Sequence, residues 1–366
     1  MSAKVVQTHS AEEICSMLRG QICGDATATI EDVETLELAH PRHLSFVGDV
    51  QHLPRLRKSS AGIVLVPESA GNLLAEFSDR TLILVPEPEI AFLSVAAVLH
   101  PRRPRLMSGI SDQAIVSDSA QIGANTNIHP GANIGRGVVI GRNSDIHPGV
   151  VIGDDCVIGD HVVIHPNTVL YSGVRVGSHV VIHAGCVLGC DGFGYRMING
   201  RHEHLPHLGS VCIEDDVEIG ACTTIDRAKV GNTVIGTGTR IDNQVMIGHN
   251  CRIGRHNLIV SQVGFAGSST TGDYVVCAGQ VGIADHVHLG DGAIIAAKAG
   301  VHRSLPGGQR YFGMPAGPMD ETTRQLAALK RLPALRDTVR QLEHDFELLR
   351  RQLHGTSGSL PEADAA

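Results

Sequence analysis

The sequence predicts a mainly β fold, in which a parallel β-helix of hexapeptide repeats follows a small α/β domain and precedes C-terminal helices. Three observations carry this. Aliphatic residues recur every six positions without a miss over fourteen hexads, from Ile110, Val116, Ile122 and Ile128 through Leu170, Val176, Ile182 and Leu188. Glycine is in excess, at 42 of 366 residues, or about 11% against roughly 7% in average proteins. Aromatic residues are scarce, with 7 Phe, 4 Tyr and no Trp, although 42% of the chain is hydrophobic, so the core must be aliphatic. A six-residue period is wrong for a helix and is a signature of parallel β-helices, in which each hexad supplies one short strand and a corner, and three hexads close a coil. The inward aliphatic is usually followed by Gly, at 123, 135, 141, 153, 159 and 177, where a sharp bend is expected.

Composition also narrows the function. A formal charge of −8 provides no basic field for nucleic acid. No apolar run approaches a membrane span, and the N-terminus lacks the apolar core of a signal peptide, which leads us to expect a cytoplasmic protein without a transmembrane segment. Nine Cys without a C-x-x-C pair fit a reducing compartment better than a disulfide framework or a zinc ribbon.

Taken in order, residues 1–105 read as the α/β domain. Ser10-Ala11-Glu12-Glu13 is a capping box that opens a helix, since the hydroxyl and the Glu13 carboxylate can each satisfy an orphan N–H. The runs 62–67 and 81–86 are apolar and end in Pro, as buried strands do, and Glu89 to Leu99 reads as a helix. Residues 101–105, Pro-Arg-Arg-Pro-Arg, read as a linker. The repeat fills 106–315. It is interrupted by an insertion from Cys190 to Leu208, returns at Ile213, Ile219 and Ile225, skips around Lys229 to Asn232, and resumes from Ile235 to Val301 with Thr271 as its one polar inward residue. The insertion carries Phe193 and Tyr195 and is read as a functional loop; the skip is read as a corner variant. Region 316–366 holds a stripe of Leu335, Val339, Leu342, Phe346, Leu349 and Leu353 at coiled-coil spacing. Pro333 is expected to separate that stripe from the helical stretch before it, and the last twelve residues are expected to be disordered.

Histidine is abundant at 21 residues, and His129, His147, His165 and His183 recur every 18 positions, one per coil. A linear ladder does not build the pocket that a metal requires, so these are read as corner residues bonding neighbouring backbone, and no metal site is assigned. Cys156, Cys186 and Cys251 each precede an inward aliphatic by two positions and are read as packing.

The stretch 215–227, DDVEIGACTTIDR, with 241–250, IDNQVMIGHN, and the loop GFGY at 192–195 resembles the UDP-3-O-acylglucosamine N-acyltransferase family of lipid A biosynthesis, within the hexapeptide-repeat acyltransferase superfamily. The order of the three regions is similar as well. The resemblance implies that the β-helix is left-handed, that the protein is a homotrimer with sites between adjacent β-helices, and that the N-terminal domain binds uridine. It further implies transfer of a 3-hydroxyacyl chain to the 2-amino group of UDP-3-O-acylglucosamine. The donor would be the 4'-phosphopantetheine thioester of acyl carrier protein, with no permanently bound cofactor.

By the same resemblance His249 is the catalytic base, His286 a second histidine near the reacting groups, and Gly267 the backbone donor to the oxyanion. Imidazole suits that proton transfer near neutral pH. Asp242 is expected to orient an imidazole, and Asn243 and Gln244 to contact sugar or pantetheine. Phe193 and Tyr195 are placed at the substrate. Phe46, in Leu44-Ser45-Phe46, matches the residue that stacks on uracil. Asp49 and His52 stand where the family usually has Asn and Tyr, so uracil is met by an acceptor-only carboxylate and an imidazole. Gly300, near the end of the expected acyl groove, would admit a longer chain. Two other readings share the fold: a hexapeptide acyltransferase that uses acyl-coenzyme A and an amino sugar, and a carbonic-anhydrase-like trimer with interfacial zinc, for which His249 and His286 would be two of three ligands.

Overall fold

The computed structural model describes residues 8–77, 79–101, 105–313 and 319–355. The chain falls into two compact units, Met1–Leu106 and Met107–Ala366.

In the first unit the capping box forms as its residues dictate. The Ser10 hydroxyl accepts from Glu13 N at 3.2 Å and the Glu13 carboxylate from Ser10 N at 3.0 Å, opening α1, Ala11–Leu18. The two apolar runs become the fully buried strands Ile63–Pro67 and Thr81–Val85. They pair in parallel at the middle of a five-stranded sheet whose other members are Asp32–Val33, His43–Phe46 and the antiparallel edge strand Gln21–Cys23. Helix α2, Pro88–Leu99, starts on a proline, whose missing N–H costs nothing in a first turn.

The second unit is built from strands of mostly two residues in three parallel sheets of ten, ten and nine strands. Away from the two breaks each inward aliphatic stacks on its equivalent 18 residues on, as Ile134 does on Ile152 and Ile140 on Ile158. One continuous aliphatic core runs from Ile128 to Val301. Each such side chain taken out of water stabilises the coil stack by about 1.5–3 kcal/mol. The polar exception is satisfied: Thr271 Oγ1 accepts from Gly254 N at 2.9 Å and from Asn257 Nδ2 at 2.7 Å. Cys156, Cys186 and Cys251 are buried in this core.

The glycines after the inward aliphatics serve a purpose other than bending. The left-handed backbone at each corner falls two or three residues later and is often taken by a residue other than glycine, such as Asn125, Asn143, Asp155, His161 and Asn167. Gly159 and its equivalents are needed because coils lie too close: a Cβ there would sit 2.6 Å from the Gly177 carbonyl carbon.

The histidine ladder stacks ring on ring, with centroids 4.9, 5.0 and 5.0 Å apart along His129, His147, His165 and His183. His183 Nε2 lies 2.9 Å from Glu218 Oε1. The rings therefore pair chiefly with one another, where bonds to backbone were expected. Partial burial first, and then the neighbouring rings, hold His147 and His165 below the ordinary 6.5. The unfolded chain thus takes up protons near pH 6.5 that the fold refuses, so stability is full above that pH and is lost as the pH falls through the folded values. The urea midpoint is expected to drop between about pH 7.5 and pH 5.5, and His147→Gln with His165→Gln to flatten that dependence. An unaltered pH slope in the double variant would refute the assignment.

Two further expectations are corrected. Helix α3, Met319–Gly355, runs through Pro333 as one element. A helix of that length loses one hydrogen bond at the proline and keeps the rest, so the defect does not divide it. Its stripe Leu335, Val339, Leu342, Phe346 and Leu349 is exposed. The insertion, read as a loop, contains a hairpin: Tyr195–Ile198 and Arg201–His204 pair antiparallel around Asn199-Gly200, both with positive φ. Asn-Gly between two short runs is the strongest local hairpin signal in a sequence. Residues 102–104 of the expected linker and 356–366 of the expected disordered tail lie outside the described residues.

Candidate active site

The two breaks in the repeat fall at the same corner of consecutive coils. The hairpin leaves the strand Val187–Cys190 and returns into Ser210–Ile213; the skip leaves Thr224–Asp226 and returns into Asn232–Ile235, which pairs with Ser210–Ile213 over four residues. The following coil carries His249 at that same corner, after the strand Met246–Ile247. The skip is therefore a working part of this corner: Lys229 O accepts from Leu208 N at 2.9 Å, tying the second break to the first.

His249 is half-buried and closely walled. A Cβ on Gly192 would meet its Cβ at 2.9 Å, and one on Gly267 would meet its Nε2 and Cε1 at 2.6 Å, so a side chain at either position would displace the imidazole. Its orienting partner is Asn250, with Nδ1 3.2 Å from Asn250 Oδ1. The amide is fixed from outside, since Asn250 Nδ2 donates to Val230 O at 3.0 Å and Oδ1 accepts from Lys229 N at 2.9 Å. Oδ1 thus faces the imidazole as an acceptor, which assigns the proton to Nδ1 and leaves the Nε2 lone pair free beside Gly267. The Gly267 N–H donates to no acceptor among the described residues.

Three groups around this imidazole were not singled out in the sequence. Asp226, nine-tenths buried, has its carboxyl pushed up by burial and partly restored by the Cys190 thiol and His249. Cys190 Sγ donates to Asp226 Oδ1 at 3.4 Å; burial, then the Asp226 charge, raises that thiol to about 11, so it stays a donor. His207 packs 5.1 Å from His249, ring centroid to centroid, and burial followed by His249 lowers its pKa.

The other expected residues divide. Phe193 and Tyr195 stand exposed on the hairpin, edge to face at 5.1 Å. His286 sits two coils beyond Asn250 at the same corner, its N–H donating to Gly267 O at 3.2 Å, which puts it about 10 Å along the stack. Asp242, Asn243 and Gln244 lie at a different corner. Asp242 accepts from Asn243 N at 2.7 Å and Ser261 N at 3.0 Å, and Asn243 Oδ1 accepts from Ala221 N at 2.7 Å. Gln244 takes part in an amide ladder with Gln262 and Gln280. Within one chain Asp242 therefore orients backbone, and Asn250 does what was expected of Asp242.

On the sheet that carries Met246–Ile247, the outward positions 246, 264, 282 and 300 line an apolar groove of about 600 Å³ bordered by His302. Among the described residues a Cβ on Gly264, Gly282 or Gly300 would meet nothing within 4 Å. Four strands at sheet spacing make this trough about 14 Å long.

In the first unit Phe46 is half-buried, its ring 4.9 Å from that of Phe92. Asp49 Oδ1 accepts from Gln51 N at 2.9 Å and caps the turn Val50–Lys58, while His52 is exposed. Among the described residues no helix is long and apolar enough to cross a membrane.

Residues 27–98 match the family described as UDP-3-O-(3-hydroxymyristoyl) glucosamine N-acyltransferase, LpxD, and residues 119–154 and 155–190 match the bacterial transferase hexapeptide of six repeats. The UDP-3-O-acylglucosamine N-acyltransferase of Syntrophotalea carbinolica is 50% identical over 92% of this chain and 96% of its own length. That of Syntrophus aciditrophicus is likewise 50% identical, over 93% of each chain. A solved UDP-N-acetylglucosamine acyltransferase of Francisella novicida is 28% identical, covering 59% of this chain and 72% of that one with a TM-score of 0.42.

Proposed function

The chain belongs to the UDP-3-O-acylglucosamine N-acyltransferase family, and from that premise we propose that His249 is the general base and Gly267 the oxyanion donor of its acyl transfer. The protein is an acyltransferase of lipid A biosynthesis with a left-handed parallel β-helix; it acylates the 2-amino group of UDP-3-O-acylglucosamine. The observation that carries the residue assignment is the free Nε2 of His249, oriented by Asn250 and set beside an unengaged N–H.

In this reading the amine nitrogen attacks the thioester carbonyl, forming the C–N bond while its proton passes to His249 Nε2. Charge that develops on the carbonyl oxygen is met by the Gly267 N–H, fixed in place by the coil and so needing no reorganisation. Collapse breaks the C–S bond, and the proton held on the imidazole leaves with the thiol. Asp226, low in the same corner, stabilises the imidazolium between these steps.

The donor is the phosphopantetheine thioester of acyl carrier protein, and three copies of the chain assemble around a common axis in the cytoplasm. Trimerisation would cover the exposed stripe of α3 and bring the Asp242–Gln244 corner of one copy towards the His249 corner of the next, where Asn243, Gln244 and His286 would reach substrate. Phe193 and Tyr195 stack on the acceptor, and Phe46, Asp49 and His52 face the uracil. The stacked glycines of the groove take the acyl chain.

The test is an acyl transfer assay with UDP-3-O-acylglucosamine and carrier proteins loaded with 3-hydroxyacyl chains of several lengths. Acyl carrier protein is expected to outperform acyl-coenzyme A, and long chains to outperform the shortest. Gly300→Met, whose Cβ enters open space, should move the preference to shorter chains with little change in stability. A parent enzyme that already prefers the shortest chain would contradict the groove assignment.

A further inference from the structure

We propose that Asp191, His204 and His207 form a divalent-metal site of the zinc type that closes the base of the hairpin insertion. The three residues come from the hairpin's entry, the end of its second strand and the segment beyond, and they offer one ligand atom each, all within 4.8 Å of one another. No sequence spacing reveals this set, because antiparallel pairing is what returns His204 to the neighbourhood of Asp191.

Two observations point to a ligand. His207 is only 3% exposed, and among the described residues neither of its ring nitrogens has a well-formed hydrogen bond, the Leu205 backbone being its one polar neighbour that acts on its charge by hydrogen bonding. A buried imidazole nitrogen left unpaired is unfavourable, and a metal bond to one nitrogen would satisfy it. The second is the division of labour at Asp191. Its Oδ1 faces the Arg227 guanidinium at 3.9 Å, while Oδ2 faces His204 Nε2 at 3.7 Å. Arg227 is itself held by Gly189 O and Ser172 O, so it does not reach across to the second oxygen.

Two imidazoles and a carboxylate suit a borderline ion such as zinc and leave a fourth position for water, whereas calcium and magnesium favour all-oxygen sets. Bonds of about 2 Å require the ligands to draw in from their present spacing. Asp191 and His204 are exposed, and His207 is the buried point.

The experiment titrates the untagged, chelator-stripped full chain with cobalt(II) chloride and then competes with zinc chloride. One cobalt per chain is expected, with the visible ligand-field absorption of a low-coordinate nitrogen and oxygen site, displaced by zinc. His204→Gln and Asp191→Asn, both at exposed positions, should each weaken binding about tenfold or more, while His183→Gln in the ladder leaves it unchanged. Zinc should also slow tryptic cleavage after Arg196 and Arg201 in the parent and not in His204→Gln. Absence of the cobalt absorption, parental affinity in both ligand variants, or binding that is lost with His183→Gln would each overturn the site.

Discussion

His249→Ala is expected to lower the rate of N-acylation by about 10²- to 10⁴-fold, the range that a positioned general base contributes. The loss should fall on kcat, because in the proposed mechanism the imidazole acts on the proton that leaves the amine in the transition state and contributes little to holding the substrate. Thermal unfolding should be close to that of the parent: the ring is half-buried at a corner, outside the continuous aliphatic core. Asn250→Ala separates orientation from chemistry. It frees the imidazole to take the other tautomer and releases its clamp on Lys229 N and Val230 O, so a smaller loss in kcat is expected with KM little changed. Retained turnover in His249→Ala, measured as product formed with acyl carrier protein as donor, would remove the mechanism while leaving the family assignment standing.

Gly159→Ala is expected to destabilise the second unit by about 3 kcal/mol, the upper part of the usual cost of overpacking. The added methyl would lie 2.6 Å from the Gly177 carbonyl carbon and 2.7 Å from the Ser178 nitrogen. Both are backbone atoms of the next coil, held by ladder hydrogen bonds such as Gly159 N to Val176 O at 2.8 Å, so neither can turn aside as a side chain would. A urea melt should show a lower midpoint with an unchanged slope, since the surface exposed on unfolding is the same. Gly300→Ala is the control, its Cβ meeting open space. Equal midpoints for the two variants would show that the coils can spread.

Much of the scaffold was legible because its physics is local and repeated. A six-residue aliphatic period leaves one way to bury each side chain, and the capping box at Ser10 and Glu13 needs only four neighbouring residues. His249 and Gly267 could be named as candidates by resemblance, since they match positions of the family's pattern. The groups around them were not. Asp226 and Asn250 lie 24 residues apart in a repeat where Asp and Asn corners are common, and nothing in composition marks one as buried or the other as the imidazole's partner. Asp242 illustrates the converse: one hexad before His249 reads as near, yet one hexad is one corner of a triangular coil, and the chain has turned away.

Sequence alone thus determined the β-helix, its α/β and helical flanks, and the family to which the chain belongs, because short-range periodicity and contiguous motifs survive without any knowledge of the third dimension. The tertiary structure alone decided that both breaks in the repeat open at the same corner. There a hairpin, a skipped turn and His249 stack on successive coils, and strand pairing joins residues that the chain separates by whole insertions. The physical reason is that a solenoid brings together positions of equal phase. Each insertion changes the count of residues without changing the phase, so spacing along the sequence stops reporting distance at the corner where the chemistry is proposed.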